Sequence, residues 1–301
     1  MGFEEQKQKY SHKPVLLSEA LDYLKPWHGG VFVDATLGLG GHSQALLSSS
    51  SDLTLIGLDK DARVIELVTE RLKSFSDRFK AVHSDFAEIK RILEALDIDG
   101  VDGILADLGV SSFQLESRER GFSFRFCAPL DMRMDETSSN STAADLLRTL
   151  SEKELADIIF EYGQERYARK IARRIVERRS LGKFVETTED LVKVVESVVG
   201  KRSGRIHSAT RVFQALRIAV NDELGSLKKF VFDAIDVLKT GGRLVVISFH
   251  SLEDRIVKRA FSELSGKKIR ILTRKPIRPS RNEISENPRA RSAKLRACLK
   301  L

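Results

Sequence analysis

Hydrophobic and polar positions follow one another along the chain in blocks that predict a parallel β-sheet flanked by helices. Apolar residues at helical spacing predict a first helix near residues 16–24. Short apolar runs then stop at acidic residues, which predicts buried strands that end at Asp34, Asp59 and Asp107, with helices between them. Strands that alternate with helices are typical of an α/β fold, whose ligands bind at the carboxyl edge of the sheet.

The pattern changes between residues 143 and 200, where helices are predicted without strands. Ser151 and Glu154 form a capping box that opens one helix, and an apolar face between residues 191 and 199 stops at Gly200. The stretch 164–179 places apolar residues on one side of a helix and covers much of the remainder with basic residues: Arg166, Arg169, Lys170, Arg173, Arg174, Arg178 and Arg179. These features predict a small inserted all-helical domain with a basic surface.

The sheet pattern returns after this insert. Helical spacing from residue 209 to 238 ends at Gly241 and Gly242, and a β-branched strand follows at 243–249. The last part of the chain predicts one helix and two strands, at residues 252–264, 268–273 and 293–299. The two closing strands, joined by a long loop, predict an antiparallel hairpin at the end of the sheet.

Composition restricts the class of protein. The chain has 301 residues, of which 42% are hydrophobic and 31% charged, as in globular proteins. The two cysteines, Cys127 and Cys298, form no C-x-x-C pair, which argues against a disulfide framework and a zinc site, so no metal is predicted. No apolar run approaches the roughly 20 residues of a membrane helix, and the mixed-charge start is not a signal peptide. A cytoplasmic protein without membrane contact is therefore predicted.

Positive charge is concentrated near the end of the chain. The net charge is +8, and residues 266–301 alone hold 12 Lys or Arg against two acids, Glu283 and Glu286, so the rest of the chain is close to neutral. A basic segment on a near-neutral body is typical of a protein that binds nucleic acid. A solvated basic tail is the alternative interpretation of such a charge run.

A glycine-rich loop follows the first predicted strand. Gly38, Gly40 and Gly41 allow the backbone to approach a ligand closely. Asp59 lies 19 positions past Gly40, about where a Rossmann-type fold places the carboxylate that binds ribose hydroxyls. This combination predicts a nucleoside-bearing cofactor.

Asp34, just before these glycines, bears on which cofactor fits. The loop lacks the full G-x-G-x-x-G of dinucleotide binders, and a carboxylate beside it would repel a pyrophosphate and attract an ammonium group. S-adenosylmethionine carries both an ammonium and a sulfonium group. Asp34 capping the following helix is the alternative. An NAD-dependent oxidoreductase fits less well, because it needs a pyrophosphate-compatible loop and a substrate acid and base that are not found.

These observations together predict the fold class and the domains. We expect an α/β protein of class I, a Rossmann-like S-adenosylmethionine-dependent methyltransferase with an inserted small all-helical domain, because the closing antiparallel hairpin suits this class. The predicted methyltransferase domain has two parts, residues 1–136 and 209–301. The predicted helical domain between them covers residues 137–208.

The segment 113–133 is the candidate for holding a substrate base. It interleaves residue types that stack on extruded bases and pair with phosphates. They are Phe113, Phe122, Phe124, Phe126, Arg118, Arg120, Arg125 and Arg133. For any single phenylalanine, packing between the core and the insert is the better interpretation, whereas the set favours substrate handling.

The end of the fifth predicted strand carries two further polar side chains. His250 and Arg255 would face the cofactor side of such a sheet. Structural hydrogen bonding by His250 and a capping role for Ser251 are the alternatives.

Six blocks of the sequence together resemble one family. They begin at Gly40, Asp107, Glu119, Pro129, Ile247 and Glu286, and read G-G-H, D-L-G-V-S-S, E-R-G-F-S-F, P-L-D-M-R-M-D, I-S-F-H-S-L-E-D-R and E-N-P-R-A-R-S. They resemble the MraW/RsmH family of bacterial 16S rRNA (cytosine-N4) methyltransferases, over residues 10–299. One departure is Phe113, where a proline or a polar residue is expected.

The resemblance implies a cofactor, a substrate and a set of contacts. The cofactor is S-adenosylmethionine, and the substrate is N4 of a cytidine in the decoding centre, the P-site region, of 16S rRNA in the small ribosomal subunit, rather than DNA. The oligomeric state stays open between monomer and homodimer. The implied cofactor contacts are Gly40, Gly41, His42, Asp59, Phe86, Asp107 and Gln114.

The chemistry of this substrate makes Asp107 the candidate catalytic residue. Cytosine N4 is a poor nucleophile because its lone pair is delocalised into the ring, so acceptors for its two protons help to localise that pair. Asp107, at the carboxyl end of the fourth predicted strand, or the carbonyls of residues 108–110 would supply them. The alternative function is a non-catalytic RNA-binding assembly factor that retains a nucleoside pocket. Such a factor is expected to lose its acidic cofactor contacts, whereas this chain has Asp34, Asp59, Asp85 and Asp107.

Overall fold

A seven-stranded sheet forms the first of two structural units. The structure, a computed structural model, describes residues 13–200 and 207–301, and the chain divides into one unit of Met1–Phe113 with Leu224–Leu301 and another of Gln114–Glu223. The strands are β1 (Gly30–Asp34), β2 (Leu53–Asp59), β3 (Phe79–His83), β4 (Val101–Asp107), β5 (Leu238–Ser248), β6 (Ile269–Ile271) and β7 (Lys294–Lys300).

The order of the strands is that of the class I fold. It reads β3-β2-β1-β4-β5-β7-β6, with β1 to β5 parallel and β7 antiparallel to both β5 and β6. Helices connect the parallel strands, which makes the sheet doubly wound. The predicted Rossmann-like α/β class and the predicted closing hairpin are confirmed.

The helices of the described residues follow the predicted alternation. They are α1 (Leu17–Leu24), α2 (Gly41–Ser49), α3 (Ala62–Arg71), α4 (Ile89–Ala95), α5 (Ser112–Glu116), α6 (Ala143–Thr149), α7 (Glu152–Glu161), α8 (Ala168–Ser180), α9 (Thr188–Val199), α10 (Thr210–Asn221), α11 (Glu223–Val237), α12 (Ser251–Leu264) and α13 (Arg281–Glu286). Short 3₁₀ turns add Pro26–His28, Lys73–Phe75, Phe86–Glu88 and Pro288–Ser292. Across the ranges that the structure describes, no helix has the length and apolar character needed to cross a bilayer.

Apolar side chains cover both faces of the sheet. Neighbouring residues of β4, Ile104 and Leu105, are each 0% exposed and belong to different core clusters. Ile104 packs in the cluster of Phe230 and Phe261, and Leu105 in that of Leu295. Strands buried on both faces read as continuous apolar runs, which explains why the sequence pattern was clear here. Full burial of each such side chain contributes about 1.5–3 kcal/mol.

The second unit is helical in its described residues. The capping box of Ser151 and Glu154 that begins α7 is confirmed, and Ile171 and Ile175 of α8 are 0% and 1% exposed. Residues 114–136 belong to this unit by contact, because the Thr188 hydroxyl donates to the Phe126 carbonyl at 2.6 Å. The predicted helical domain, 137–208, lies within this unit, and its boundaries stay a prediction.

One predicted helix is wrong in its extent. The helical spacing from 209 to 238 belongs to two helices, α10 and α11, which are separated at Asp222. Asp222 has φ 46°, a left-handed conformation that ends α10 without a glycine or proline to mark the break. The following strand, β5, begins at Leu238, earlier than the predicted residue 243.

Candidate active site

The candidate active site lies at the edge of the sheet where the chain connections diverge. β1 pairs with β2 on one side and with β4 on the other, and the chain goes on from β1 to β2 but from β4 to β5. Open α/β sheets bind ligands at such a switch point, beyond the carboxyl ends of the strands. Asp34, Asp59 and Asp107 are the last residues of β1, β2 and β4, so three carboxyl groups lie at this edge.

Asp34 is buried and fixed by two hydrogen bonds. Its Oδ2 accepts from the Ser43 hydroxyl at 2.6 Å and its Oδ1 from the Thr36 N–H at 3.2 Å. The N-cap of α2 is Gly40, which makes no side-chain cap, so the capping alternative for Asp34 is wrong. Burial, only partly offset by these hydrogen bonds, raises the pKa of Asp34 to about 6.

Asp59 joins the glycine loop to the end of β2. Its Oδ2 accepts from the Gly38 N–H and its Oδ1 from the Asp61 N–H, both at 2.9 Å. Burial raises the pKa of Asp59 to about 6, and the charges of Asp61 and Asp34 act in the same direction. A carboxylate accepts about four hydrogen bonds, so Asp59 keeps capacity for further donors.

Asp107 carries a carboxyl oxygen without a hydrogen-bond partner among the described residues. Its backbone N–H donates to the Thr36 hydroxyl at 2.6 Å, whereas its buried Oδ1 has no such bond. Burial raises the pKa of Asp107 well above its usual value, and the charges of Asp34 and Glu253 add to the shift. This oxygen therefore keeps its capacity to accept a hydrogen bond.

His42 lies between Asp107 and the N-terminal segment. Its Nε2 lies 3.0 Å from the Val15 carbonyl, so that nitrogen carries the proton and donates. Its Nδ1 lies 3.7 Å from Asp107 Oδ2. The resemblance implied only a cofactor contact for His42, and these two neighbours could not be read from the sequence.

The three glycines of the loop have different surroundings. A Cβ added to Gly40 would lie 2.7 Å from Val68 Cγ1, and one added to Gly41 would lie 2.6 Å from Pro14 Cγ, so both sites are filled by the protein itself. Gly40 also has φ 74°. A Cβ on Gly38 would make ordinary van der Waals contacts, 3.8 Å from the Thr36 carbonyl oxygen and 3.9 Å from Ser111 Cβ, but Gly38 has φ 48°, a conformation that strains other residues. The sequence could not rank the three.

Phe86 follows β3 and is held from two sides. Its ring meets Phe230 edge-on at a centroid distance of 5.0 Å, and Lys60 Nζ lies 5.9 Å from its centroid. Lys60 Nζ also lies 2.8 Å from Asp85 Oδ2, which accepts from the Ser226 hydroxyl at 2.8 Å. Sequence reasoning missed Lys60 and Ser226, since nothing local marks their shared contact with Asp85.

Gln114 belongs to the second unit and is 3% exposed. It opens that unit directly after Phe113, whose ring packs against the core of the first unit. The contact that the resemblance implies for Gln114 stays a prediction.

The structure corrects most of the predicted base-holding segment. Arg120 is 1% exposed, and its Nη2 donates to the Arg133 and Met134 carbonyls at 2.8 Å each. Phe122 is 7% exposed, and Phe124 packs against Phe213 at 5.1 Å. These side chains hold the second unit together.

Only part of the segment 113–133 is exposed to solvent. Arg118 and Arg125 are exposed, and the Arg118 guanidinium lies over the Phe126 ring at 4.8 Å. Arg133 is paired with Asp131 at 2.8 Å, which lowers the pKa of that carboxyl against the effect of burial. Of the predicted set, Arg118 and Arg125 are exposed and Phe126 is half-buried, and a contact of these side chains with substrate stays a prediction.

His250 begins α12 as its N-cap. Its Nδ1 accepts from the Glu253 N–H at 3.4 Å, and Glu253 Oε2 accepts from the N–H groups of Phe249 and His250. Structural hydrogen bonding by His250 is therefore confirmed, and capping by Ser251 is wrong. Arg255 lies exposed on α12.

Comparison with known proteins agrees with this geometry. The model of the MraW methylase family matches residues 9–301. The chain belongs to the MraW methylase family. A ribosomal RNA small subunit methyltransferase H from Geobacter sulfurreducens is 51% identical, over 97% of this chain and 99% of its own. Proteins of the same name are 48% identical in Carboxydothermus hydrogenoformans and 50% identical in Thermotoga neapolitana, over 97% of this chain and 99% and 96% of theirs.

The family membership confirms the predicted resemblance, and the acidic edge fits the cofactor of a methylase. Asp34, Asp59 and Asp107 are close enough for the charge of Asp34 to raise the pKa of the other two. A ligand with cationic groups would relieve this repulsion, whereas a pyrophosphate would add to it. The residues present therefore fit S-adenosylmethionine, and an NAD-dependent oxidoreductase is not supported.

Proposed function

We propose that this protein transfers a methyl group from S-adenosylmethionine to N4 of a cytidine in the decoding centre of 16S rRNA. The coarser statement, S-adenosylmethionine-dependent methylation of small-subunit rRNA, follows from membership of the MraW methylase family and from relatives at about 50% identity. The chosen atom, N4, and the position in the decoding centre rest on the sequence resemblance. A bacterial rRNA substrate would place the protein in the cytoplasm.

The proposed cofactor contacts remain those that the resemblance implies, with distinct physical roles. Asp59 has acceptor capacity for ribose hydroxyls beside Gly38, and the held ring of Phe86 suits stacking along a nucleobase. Gly40 and Gly41 shape the loop through their packing against Val68 and Pro14 rather than by leaving room for the ligand. His42, Asp107 and Gln114 complete the proposed set.

The observation that carries the proposed mechanism is the unpaired Oδ1 of Asp107. When bound, S-adenosylmethionine supplies an electrophilic methyl group on a sulfonium. Its positive charge would favour the ionised form of Asp107, which turns Oδ1 into an acceptor for an N4 proton. An accepted proton localises the lone pair of N4 and neutralises the charge that develops there. The carbonyls of Leu108, Gly109 and Val110 are the alternative acceptors.

Asp107→Asn tests this role. The substitution keeps the shape and weakens the acceptor, so we expect single-turnover methyl transfer at saturating cofactor to fall by about 10²–10³. Affinity for S-adenosylhomocysteine is measured by calorimetry, with NAD as a control ligand. A loss of this affinity indicates a cofactor contact, whereas a loss of transfer rate at saturating cofactor indicates a catalytic group. Transfer at the parental rate would restrict Asp107 to cofactor binding. Absence of methyl transfer by the parent protein itself would favour the non-catalytic assembly factor.

We also propose where rRNA phosphates bind. In the second unit, Arg166 lies exposed just before α8, and Arg169, Lys170 and Arg173 lie exposed within it, on the side away from Ile171 and Ile175. Of these, Arg173 also lies 3.6 Å from Glu152 Oε1, in an exposed ion pair that is worth little. Arg179 lies on the same helix but donates to three carbonyls, those of Leu147, Arg148 and Leu150, and so supports the end of α6.

The basic segment 266–301 of the first unit also contains both cations that are bound to other groups of the protein and cations that are exposed. Arg296 and Lys294 pair with Asp254, and Lys268 pairs with Asp236. The cations that are exposed and lack such ion pairs in the described part of this segment include Arg274, Lys275, Arg278, Arg281 and Arg291. We propose these, rather than the whole segment, as phosphate contacts. RNA affinity should then fall steeply with salt.

A further inference from the structure

The loop between β4 and α5 lines the space beside the glycine loop. It runs from Leu108 to Ser111, and Ser111 Cβ lies 3.9 Å from the position that a Cβ on Gly38 would take. Because the Gly38 N–H donates to Asp59 Oδ2 at 2.9 Å, this loop lies beside the acidic edge at which we propose that the cofactor binds. The same loop supplies the backbone carbonyls that follow Asp107.

Hydrogen bonds hold the beginning of this loop to the sheet. The Asp107 N–H donates to the Thr36 hydroxyl at 2.6 Å, and the Leu108 N–H donates to the Ile247 carbonyl at 2.9 Å. Gly109 follows with φ 102°, a conformation that other residues rarely adopt. The far end of the loop, at Ser112, is held by a separate contact.

Arg289 holds that far end. Its Nη1 donates to the hydroxyl of Ser112, which is 7% exposed, across 177 positions of the chain. Guanidinium hydrogen bonds to a buried hydroxyl are directional, so this contact fixes the start of α5.

The segment that presents Arg289 is itself anchored. Ala290, within the 3₁₀ turn Pro288–Ser292, and Ala293, directly after it, are 0% and 2% exposed in the core of the first unit. Asn287 Nδ2 donates to the Lys13 carbonyl at 2.9 Å, and Glu283 accepts from the Leu16 N–H at 2.7 Å. Arg289 therefore extends from a rigid support toward Ser112.

We propose that Arg289 is a positioning residue, which acts through Ser112 to fix the loop that follows Asp107. The expected effect on methyl transfer rests on the proposed function, whereas the expected effect on the mobility of the loop does not. Arg289 and Arg291 are both exposed, and the bond from the Arg289 guanidinium to Ser112 is what distinguishes Arg289 from Arg291, which we expect to contact a phosphate instead. A displacement of about 1 Å in a group that aligns the reacting atoms can cost on the order of 10² in rate.

The experiment compares Arg289→Met, Arg289→Lys, Ser112→Ala and the double variant Arg289→Met/Ser112→Ala in the full-length protein. Lys258→Met, which removes one exposed cation from α12, is the control. Three quantities are measured: single-turnover methyl transfer at saturating RNA and cofactor, the salt dependence of RNA affinity, and amide hydrogen exchange of residues 109–112 in the absence of RNA.

We expect Arg289→Met and Ser112→Ala each to slow methyl transfer at least tenfold, and the double variant to be no slower than the slower single variant. Arg289→Lys keeps one donor and should recover most of the rate. The KM for RNA and its salt dependence should stay within error of the parent, and exchange at 109–112 should rise at least tenfold in both single variants. Arg291→Met, by contrast, should make the log-log salt slope shallower by about one.

Two results would overturn the inference. A shallower salt slope in Arg289→Met, with parental transfer at saturating RNA, would make Arg289 a phosphate contact. Additive losses in the double variant would mean that Arg289 does not act through Ser112. If the parent protein transfers no methyl group, the proposed function fails, and hydrogen exchange alone decides the positioning role. Parental exchange at 109–112 in both variants would then refute it.

Discussion

Asp34→Asn should change how the stability of the ligand-free protein depends on pH. The carboxyl of Asp34 is 1% exposed, and burial raises its pKa from 3.8 to about 6. A group whose pKa is higher in the folded state stabilises the fold when protonated, and this contribution is lost as pH rises through the folded value. The amide that replaces the carboxyl would keep an acceptor for the Ser43 hydroxyl but has no proton to lose.

The magnitude follows from the shift. A difference of about two pKa units corresponds to about 3 kcal/mol, so between pH 4 and pH 7.5 the parent should lose about that much stability relative to Asp34→Asn. The charge of Asp34 also raises the pKa of Asp59 and Asp107, so its removal acts in the same direction. For a unit of this size, about 3 kcal/mol corresponds to roughly 6–12 °C in Tm.

Differential scanning calorimetry without cofactor, at half-unit steps of pH, measures this effect. The decisive quantity is the difference in Tm between variant and parent as a function of pH, because the introduced amide adds a pH-independent cost. Asp99→Asn, an exposed carboxyl at the end of the loop before β4, is the matched control and should follow the parent. Parallel Tm curves for the parent and Asp34→Asn would refute the idea that a charged, buried Asp34 opposes folding.

Three further predictions follow from the same structure. Gly40→Ala should lower Tm, because the added Cβ would lie 2.7 Å from Val68 Cγ1 and residue 40 has φ 74°. Adding Val68→Ala to this variant should relieve the contact with residue 68 and restore part of the loss. A Gly40→Ala variant with the Tm of the parent would contradict this prediction. Asp59→Ala should weaken S-adenosylhomocysteine binding at least tenfold in calorimetry, since ribose hydroxyls would lose a charged acceptor. Arg179→Met should cost about 1–3 kcal/mol in urea unfolding without changing the salt slope of RNA binding, whereas Arg169→Met should make that slope shallower by about one.

The sheet and the residues at its carboxyl edge could be predicted from local sequence pattern alone. Asp34, Asp59 and Asp107 were predicted at strand ends because strands buried on both faces are continuous apolar runs, and a polar residue that ends such a run marks where the strand leaves the core. The capping box at Ser151 was equally readable, since its partners are three residues apart.

The contacts of the individual polar side chains, in contrast, could not be predicted and are visible only in the folded chain. Arg120 and Arg179 looked the same in sequence as Arg118 and Arg169, yet the first two bind backbone carbonyls inside the second unit and the others are exposed. Arg289 reaches Ser112 across 177 positions, and His42 reaches Val15 and Asp107 from different parts of the chain. Hydrophobic periodicity records which face of an element is buried, because burial depends on the local repeat of the backbone. It does not predict hydrogen bonds between segments that are distant in sequence, because those bonds form only when the packed core has brought the two segments together.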